Sequence, residues 1–322
     1  MRVRSRPSSS GRQNGAFRMI HILPDIHGQH AKLAAGLDRL GWRRRASGWH
    51  GPSPGARLVF LGDFIDRGPE QKKVLATVRS LLDSGKADAV MGNHEFNAIL
   101  FHTETDSGPL RPHSPKNLAQ HAAFIAEFPL GSAALAEAVA WMRTLPIWLE
   151  TGGIRAVHAC WHGPTIAEVS ASLPEARLDE AILNRPGLTA SRLFDDLERL
   201  TKGPETRLPE GFGFHDGGGH WREMTRIAWW RQDATSWRDL AATGVPDPVL
   251  PEGDAPRDLH AFRYVDPVPV FFGHYWMTGV PVVEAPYALC LDYSAGIGGP
   301  LLAYRYEPGD TQVRADRIQE VG

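Results

Sequence analysis

The chain has 322 residues, of which 42% are hydrophobic and 22% charged, and its formal net charge is −2. This balance argues against a disordered chain and provides no overall basic field, so nucleic acid is not an expected partner. Two cysteines without CxxC spacing, Cys160 and Cys290, exclude a disulfide framework and favour a reducing, cytoplasmic location. No apolar run approaches the roughly 18 residues of a membrane-spanning helix, so no membrane association is expected.

The first residues differ in composition from the rest of the chain. Residues 1–17 are rich in Arg and Ser and contain no apolar core of the kind found in secretory signals. We interpret this stretch as a disordered N-terminal extension, with a transit peptide as the alternative. A single domain is then expected over residues 18–322, which is within the size that one large domain can reach.

The first half of that domain alternates between strand and helix patterns. Short apolar runs that end at polar or Gly residues predict buried strands. These runs are Ile20–Leu23, Leu58–Leu61, Ala87–Met91 and, much later, Val268–Phe272. Each of the first three is followed by a helical pattern, which after the first strand is the stripe Leu33, Leu37 and Leu40. This alternation predicts an α/β core.

The second half has a different pattern. A helix is predicted over Ala133–Leu145, and Thr151-Gly152-Gly153 predicts a hairpin that joins strands Ile147–Glu150 and Ile154–His158. Residues 164–262 show no sustained periodicity, and we interpret them as an inserted cap. Further strands are predicted near the C-terminus, which suggests two sheets that share one core. These strands are Pro281–Glu284, Ala288–Tyr293 and Leu301–Tyr306.

Side chains that bind metals recur where the predicted strands end. In chain order they are Asp25, His27, Asp63, Asp66, Asn93, His94, His158 and His274. Ligands of α/β sheets collect at the carboxyl ends of the strands, so these side chains are expected to meet. Asp, His and Asn without a thiolate suit manganese, iron or zinc. Asp63 is the natural carboxylate to bridge two cations, because it lies between the two groups of ligands in sequence.

The motifs around these residues resemble those of a known family. They are Asp25-Ile-His27-Gly, Gly-Asp63-Phe-Ile-Asp66-Arg67-Gly, Gly-Asn93-His94-Glu, Val-His158-Ala and Gly-His274-Tyr. Together they resemble the calcineurin-like metallophosphoesterases, specifically the phosphoprotein-phosphatase branch, which includes Ser/Thr phosphatases and symmetrical diadenosine tetraphosphatases. Residues 288–299, Ala-Leu-Cys-Leu-Asp-Tyr-Ser-Ala-Gly-Ile-Gly-Gly, look more like the bacterial tetraphosphatase side.

The resemblance implies a β-sandwich of two mixed sheets flanked by helices, and a site with two divalent ions, Mn²⁺ first and Fe or Zn as alternatives. Asp25, His27 and Asp63 would hold one ion. The other would be held by Asp63, Asn93, His158 and His274. Many relatives outside the phosphatase branch carry a second His in the last motif. Here Trp276 stands in its position, which leaves the first ion three protein ligands.

The resemblance also implies the catalytic groups. His94 would donate a proton to the leaving oxygen and Asp66 would orient it, while Arg67 and Asn93 would contact the substrate phosphate. A hydroxide shared by the two ions would attack phosphorus. Outside the motifs, the run Trp229-Trp230-Arg231 could stack on a nucleobase and bind phosphate, so Arg231 is a candidate substrate contact. For the two tryptophans, packing in the core is the favoured interpretation.

The expected activity is hydrolysis of a phosphate ester or phosphoanhydride. The expected partner is a small phosphorylated molecule, foremost a nucleotide polyphosphate such as a diadenosine tetraphosphate, and the alternative substrate is a Ser/Thr phosphoprotein. A polynucleotide phosphodiesterase ranks third, because the chain has no basic belt. A scaffold that binds phosphorylated ligands without catalysis is the alternative of another class. None of the expected ligands or acids is lost, which weighs against it.

Overall fold

The computed structural model describes residues 19–322 except 107, 216–218, 243 and 245–248. The predicted N-terminal extension, residues 1–17, lies outside the described residues. The larger sheet has five strands. Three of them run parallel, the central strands Met19–Leu23 and Ala56–Phe60 and the edge strand Ala87–Ala89. Leu302–Tyr306 pairs antiparallel with the first of these, and Ile318–Glu320 closes the other edge. The sheet is therefore mixed.

The second sheet has four strands in the order Ala288–Cys290, Val270–Phe272, Ile154–Val157 and Trp148–Thr151. The first three run parallel, and the last forms the predicted antiparallel hairpin. The predicted strand Pro281–Glu284 is wrong, because these residues form no strand. Pro281 has no N–H to donate, and the N–H of Val282 donates to the Tyr293 hydroxyl instead of a neighbouring strand.

Helices cover the outer face of the larger sheet, whereas the outer face of the smaller sheet packs mainly against Trp229, Trp230 and Tyr264. The helices predicted after the first three strands are confirmed, as is the helix before the hairpin. Within the described residues, the α-helices are α1 (His30–Arg39), α2 (Gln71–Asp83), α3 (Asn93–Phe101), α4 (Pro115–Glu127), α5 (Ala133–Met142), α6 (Gly163–Ser170), α7 (Glu180–Leu183), α8 (Arg192–Lys202) and α9 (Trp237–Leu240). None of them has the length and apolar content that a bilayer crossing requires.

Short strand pairs lie outside the two main sheets. They are Arg43–Arg45 with Gly48–His50, Glu104–Thr105 with Gly108–Pro109, and Phe214–His215 with Trp221–Arg222. A further three-stranded sheet is formed by Glu205–Arg207, Met224–Ile227 and Ala241–Ala242. The last two of these features lie within the segment that the sequence analysis interprets as a cap.

The two main sheets pack face to face over one apolar layer. Ile22 and Val59 from the larger sheet are buried in the same cluster as Phe271 and Leu289 from the smaller one. Alternate residues of a strand point to opposite faces, so the other faces are free to bury helices α1 and α2 through residues such as Leu33 and Val74. The predicted β-sandwich of two mixed sheets flanked by helices is confirmed.

Residues 164–262 contribute to three apolar clusters, one of which contains Trp229 and Trp230. Helices α6 and α8 bury Val169, Leu197 and Leu200 in the main apolar cluster of the domain. Residues after α8 contribute a small cluster of their own, whose members include Leu208, Ile227 and Trp237. The interpretation of residues 164–262 as an inserted cap stays a prediction.

Candidate active site

The side chains singled out at the strand ends meet at one edge of the sandwich. Each follows a strand or begins the helix after it, so the rigid sheets position the loops that carry them. Several of these side chains form two groups, and within each group the possible ligand atoms all lie within 4.8 Å of one another. One group contains His27, Asp63 and His94, and the other contains Asp63, His158 and His274. Asp63 belongs to both, as expected for a carboxylate that bridges two cations.

Near the first group, one imidazole nitrogen lies close to two carboxylates, that of Asp63 and that of Asp25, which is not a member of the group. His27 Nε2 lies 3.5 Å from Asp63 Oδ2 and 3.8 Å from Asp25 Oδ2. Ligand atoms of one ion with bonds near 2.0–2.2 Å are about 3 Å apart. The two separations from His27 Nε2 are longer than this by about 0.5–0.8 Å.

The second group gathers around the Asn93 side-chain oxygen. Asn93 Oδ1 lies 3.0 Å from His158 Nε2 and 2.7 Å from His274 Nδ1. His158 Nε2 is also 3.4 Å from Asp63 Oδ2. One amide oxygen, one carboxylate oxygen and two imidazoles therefore converge, a donor set that suits manganese, iron or zinc.

Two of the imidazoles are held in the tautomer that a metal ligand needs. His27 Nδ1 donates to the Ile65 carbonyl at 2.9 Å, and His158 Nδ1 donates to the Leu61 carbonyl at 2.7 Å. A carbonyl can only accept, so the proton is on Nδ1 and the Nε2 lone pair faces the cluster. In the described part of the chain, the buried His27 Nε2 has no hydrogen-bond partner. An orphaned buried nitrogen beside two carboxylates fits a bound cation.

The electrostatics of the buried carboxylates point the same way. Burial alone would raise the pKa of Asp63, but His158 and His94 hold that pKa well below its ordinary value. Burial alone would lower the pKa of His158, but Asp63 and Asp25 raise it to about 10. Burial, together with the Asp292 carboxylate, raises the pKa of Asp25 well above its ordinary value. These buried carboxylates need positive charge beside them, and a divalent cation supplies it.

The loops reach this arrangement through strained backbone. Non-glycine residues at the site adopt the left-handed conformation, which costs energy and concentrates at functional sites. They are His27, Asp63, Asp66, Arg67, His274 and Trp276. Glycine is required beside them: a Cβ on Gly92 would overlap the Asp63 carboxylate, and a Cβ on Gly273 would overlap that of Asp25. Larger residues at these two positions would displace the proposed ligands.

Glu95 is a supporting residue that the sequence analysis does not identify. Its fully buried carboxylate accepts hydrogen bonds from the backbone N–H groups of Asp63, Phe64 and Gly92 at 2.8–3.0 Å. It ties the loop that carries Asp63 to the start of α3. Glu three residues after a helix N-cap is the capping-box signal, so the pattern Gly92-Asn-His-Glu95 could have revealed this role.

His94 lies beside both metal groups and is held by Asp66. His94 Nδ1 is 2.5 Å from Asp66 Oδ2, and the His94 backbone N–H donates to Asp63 Oδ1 at 2.9 Å. Its other ring nitrogen, Nε2, is 3.9 Å from Asp63 Oδ2 and 3.5 Å from Arg67 Nη2. The imidazole therefore presents Nε2 to the centre of the site, which is the geometry that a proton donor to the substrate requires.

Two further histidines, His121 and His102, extend the series of side-chain hydrogen bonds beyond Asp66. His121 Nδ1 lies 2.7 Å from Asp66 Oδ1, and His121 Nε2 lies 3.1 Å from His102 Nε2. Burial alone would raise the pKa of Asp66, but the hydrogen bonds from His121 and His94 lower it to about 2. Asp66 is thus a permanent carboxylate with one donor on each oxygen. His121 sits on α4, which the sequence analysis does not predict.

Arg67 and Trp276 form a stacked pair at the mouth of the site. The guanidinium carbon of Arg67 is 3.7 Å from the centroid of the Trp276 ring, a cation–π contact that fixes the plane of the guanidinium. The Trp276 backbone N–H donates to Asp292 Oδ2 at 2.9 Å. In this chain, the position at which many relatives carry a second His therefore serves to hold Arg67. Asp292 is a second supporting residue that the sequence analysis does not identify.

A cleft of about 1510 Å³ opens over the site. Asp63, Asn93, His94 and His274 line its floor. The cationic side chains that line it are Arg67, Arg111, Lys116, Lys202, Arg207, Arg222 and Arg226. Lys202, Arg207 and Arg226 each pair with a glutamate, whereas Arg67, Arg111 and Lys116 have no ion-pair partner among the described residues. Arg226 is close enough to His274 to lower its pKa, second only to the effect of burial. The cleft therefore suits an anion larger than one phosphate group.

Arg231 is not among the residues that line this cleft, and its contact with the substrate stays a prediction. Its guanidinium forms an ion pair with Glu284 at 2.7 Å and donates to the Asp239 carbonyl. Trp229 and Trp230 are buried in the core, as the favoured packing interpretation expects. Arg226, five residues earlier, is one of the cations of the inserted segment that do line the cleft.

Comparison with known proteins places these findings in a family. The profile of the family described as calcineurin-like phosphoesterase matches residues 19–274. A protein of Aromatoleum aromaticum named symmetrical bis(5'-nucleosyl)-tetraphosphatase is 27% identical and aligns over 89% of this chain and 93% of its own length. One of the same name from Janthinobacterium is 29% identical over 84% of this chain and 90% of its own.

A solved structure shares the fold. A cold-active protein tyrosine phosphatase matches with a TM-score of 0.50 and 17% identity, over 94% of this chain and 81% of that chain.

Proposed function

Because the chain belongs to the calcineurin-like phosphoesterase family, we propose that the phosphate compound it hydrolyses is a nucleotide polyphosphate of the dinucleoside tetraphosphate type. The observation that carries this choice is the cleft, whose cationic walls extend well beyond the residues around Asp63. A phosphomonoester needs only one anion-binding subsite. A polyphosphate carries several phosphate groups in a row and can occupy several such subsites. The names of the relatives that align over most of both chains agree with this choice.

We propose that two divalent cations, Mn²⁺ with Fe or Zn as alternatives, bind at the site. One would be held by Asp25, His27 and Asp63, and the other by Asp63, Asn93, His158 and His274. When bound, such a pair activates a water and neutralises charge on the phosphoryl oxygens. The orphaned His27 nitrogen and the tautomers imposed by Ile65 and Leu61 support this assignment. The two free cysteines are buried, in agreement with a reducing, cytoplasmic location.

We propose that His94 donates a proton from Nε2 to the leaving oxygen. Asp66 holds the opposite nitrogen, so the ring cannot turn its donor away from the substrate. Arg67, kept in plane by Trp276, would bind phosphate oxygens with its fork of N–H groups, and the Asn93 amide borders the same space. Position and hydrogen bonding in this chain support these roles.

His121 is expected to act through Asp66 as a positioning residue. His121→Phe keeps the stacking on Phe124 but removes the donor to Asp66, so the carboxylate can rotate away from His94. We expect a loss of about tenfold on an alkyl phosphate, of the size of one charged hydrogen bond, and a smaller loss on an aryl phosphate. His121→Asn keeps a donor near the position of Nδ1 and should recover most of the activity. Equal losses on both esters, with no rescue by Asn, would contradict the role.

The substrate proposal is tested by comparing three compounds at the same metal loading. These are a dinucleoside tetraphosphate, a serine phosphopeptide and p-nitrophenyl phosphate. We expect the highest kcat/KM for the dinucleoside tetraphosphate, by at least roughly tenfold, because only this substrate fills the cationic cleft. A preference for the phosphopeptide would favour a protein phosphatase instead. Metal-loaded protein that binds these compounds without hydrolysing any of them would point to a scaffold.

A further inference from the structure

Arg111 lies in the wall of the cleft, between α3 and α4, and its guanidinium is held by three side-chain amides. Its Nη1 donates to Asn97 Oδ1 at 3.1 Å. Its Nη2 donates to Asn117 Oδ1 at 2.8 Å and to Gln120 Oε1 at 3.1 Å. The Arg111 backbone N–H also donates to the Leu100 carbonyl. The position and plane of this guanidinium are therefore set before any ligand arrives.

Its charge is not neutralised by these contacts. Amide oxygens satisfy N–H donors but carry no net charge, unlike the carboxylates that accompany most structural arginines. Among the described residues, no carboxylate lies within ion-pair distance of Arg111. Arg79 and Arg231, by contrast, each contact a glutamate. The carboxylates of Glu198 and Asp66 favour its charged form only from beyond contact distance. An anionic ligand in the cleft would give this half-buried cation a direct partner.

The site of this charge is fixed relative to the proposed metal ligands. Asn97, which contacts Arg111, is four residues after Asn93 on α3. Four residues of an α-helix rise about 6 Å, so Arg111 is roughly one helical turn farther along the cleft from the reacting phosphate. Arg111, Lys116 and Gln120 line the same cleft as His94 and Arg67. A ligand can therefore reach both regions at once.

We propose that Arg111 binds a second phosphate of the substrate, one that is not attacked. This proposal rests on the proposed nucleotide polyphosphate activity and adds a subsite to it. The planar fork of the guanidinium matches two phosphate oxygens, and the three amides keep it turned toward the cleft. A phosphomonoester has no group for this subsite. Arg111 thus favours polyphosphates over monoesters.

The test uses Arg111→Gln in the full-length protein with a fixed excess of Mn²⁺. We expect KM for the dinucleoside tetraphosphate to rise about tenfold or more with little change in kcat, as for the loss of a contact made equally in the ground and transition states. Hydrolysis of p-nitrophenyl phosphate should be unchanged. The Kd of ADP, measured by calorimetry, should rise by a similar factor, whereas inhibition by orthophosphate should stay the same.

Two variants serve as controls. Arg111→Lys keeps the charge but loses the fork, so its Kd for ADP should lie between those of the wild type and Arg111→Gln. Arg79→Gln, which removes an arginine paired with Glu137 on the surface of α2, should behave as the wild type. An unchanged Kd of ADP in Arg111→Gln would overturn the proposal. An equal loss on p-nitrophenyl phosphate would also overturn it, because Arg111 would then only support α4.

The test distinguishes failure of this proposal from failure of the proposed activity. If the wild type fails to hydrolyse dinucleoside tetraphosphates, the proposed function falls. The comparison of ADP with orthophosphate then still decides whether Arg111 binds a second phosphate, because neither measurement needs turnover of a nucleotide.

Discussion

Asp63→Asn should lose most of the bound metal and nearly all activity while the protein remains folded. The substitution preserves shape but removes the one carboxylate that belongs to both groups of ligands. The fold should tolerate it, since Asn is among the few residues that adopt the left-handed backbone found at this position, where φ is 51°. An amide oxygen can also still accept the hydrogen bond from the His94 N–H.

The measurement is metal content by mass spectrometry together with kcat/KM on p-nitrophenyl phosphate. Without the bridging charge, binding of two cations at short range is opposed by their mutual repulsion, and we expect a loss of activity of about a thousandfold or more. Asp38→Asn, at an exposed position paired with Arg43, is the matched control and should change neither quantity. Two bound metals and substantial turnover in Asp63→Asn would contradict the bridging role.

His94→Asn should reduce activity by an amount that depends on the leaving group. A proton donor contributes about 10²–10⁴-fold when the leaving oxygen is a strong base. An alkyl phosphate should therefore lose activity by at least about a hundredfold. Expulsion of an aryl oxide needs little protonation, so the loss on p-nitrophenyl phosphate should be much smaller. Metal content should be unchanged, because the adjacent ligand Asn93 is retained.

The kinetics of both esters are compared at equal metal loading, with His50→Asn as the control. His50 is exposed and contacts Ser47, so its replacement should affect neither ester. Equal losses on the alkyl and aryl esters would show that His94 is not the proton donor. A positioning role would then replace it.

The strands, the sandwich and the grouping of the motif residues are predictable because local signals agree with the tertiary structure. A short apolar run followed by polar residues places those residues at a strand end, and parallel strands bring such ends together. The signal is weaker where burial depends on distant partners. Helix α4 buries His121 and Phe124 rather than an aliphatic stripe, so its periodicity is not recognisable.

The contacts of individual side chains at and near the site are also hard to predict, because their partners are distant in sequence. The sequence places Arg231 beside two aromatic residues but does not reveal its ion pair with Glu284, 53 residues away. Asp292 and Arg111 likewise receive their roles from contacts that only the folded chain creates. From the sequence alone, Trp276 only marks the absence of a second His ligand. Its contact with Arg67 depends on the folded structure.

We propose that this site needs two cations to hydrolyse a nucleotide polyphosphate. This proposal is tested most directly by titrating metal-stripped protein with Mn²⁺ while hydrolysis of a dinucleoside tetraphosphate is followed. Two groups of ligands that share Asp63 predict that activity rises until two equivalents per chain are bound. Full activity at one equivalent, or activity that persists in excess chelator, would contradict the claim.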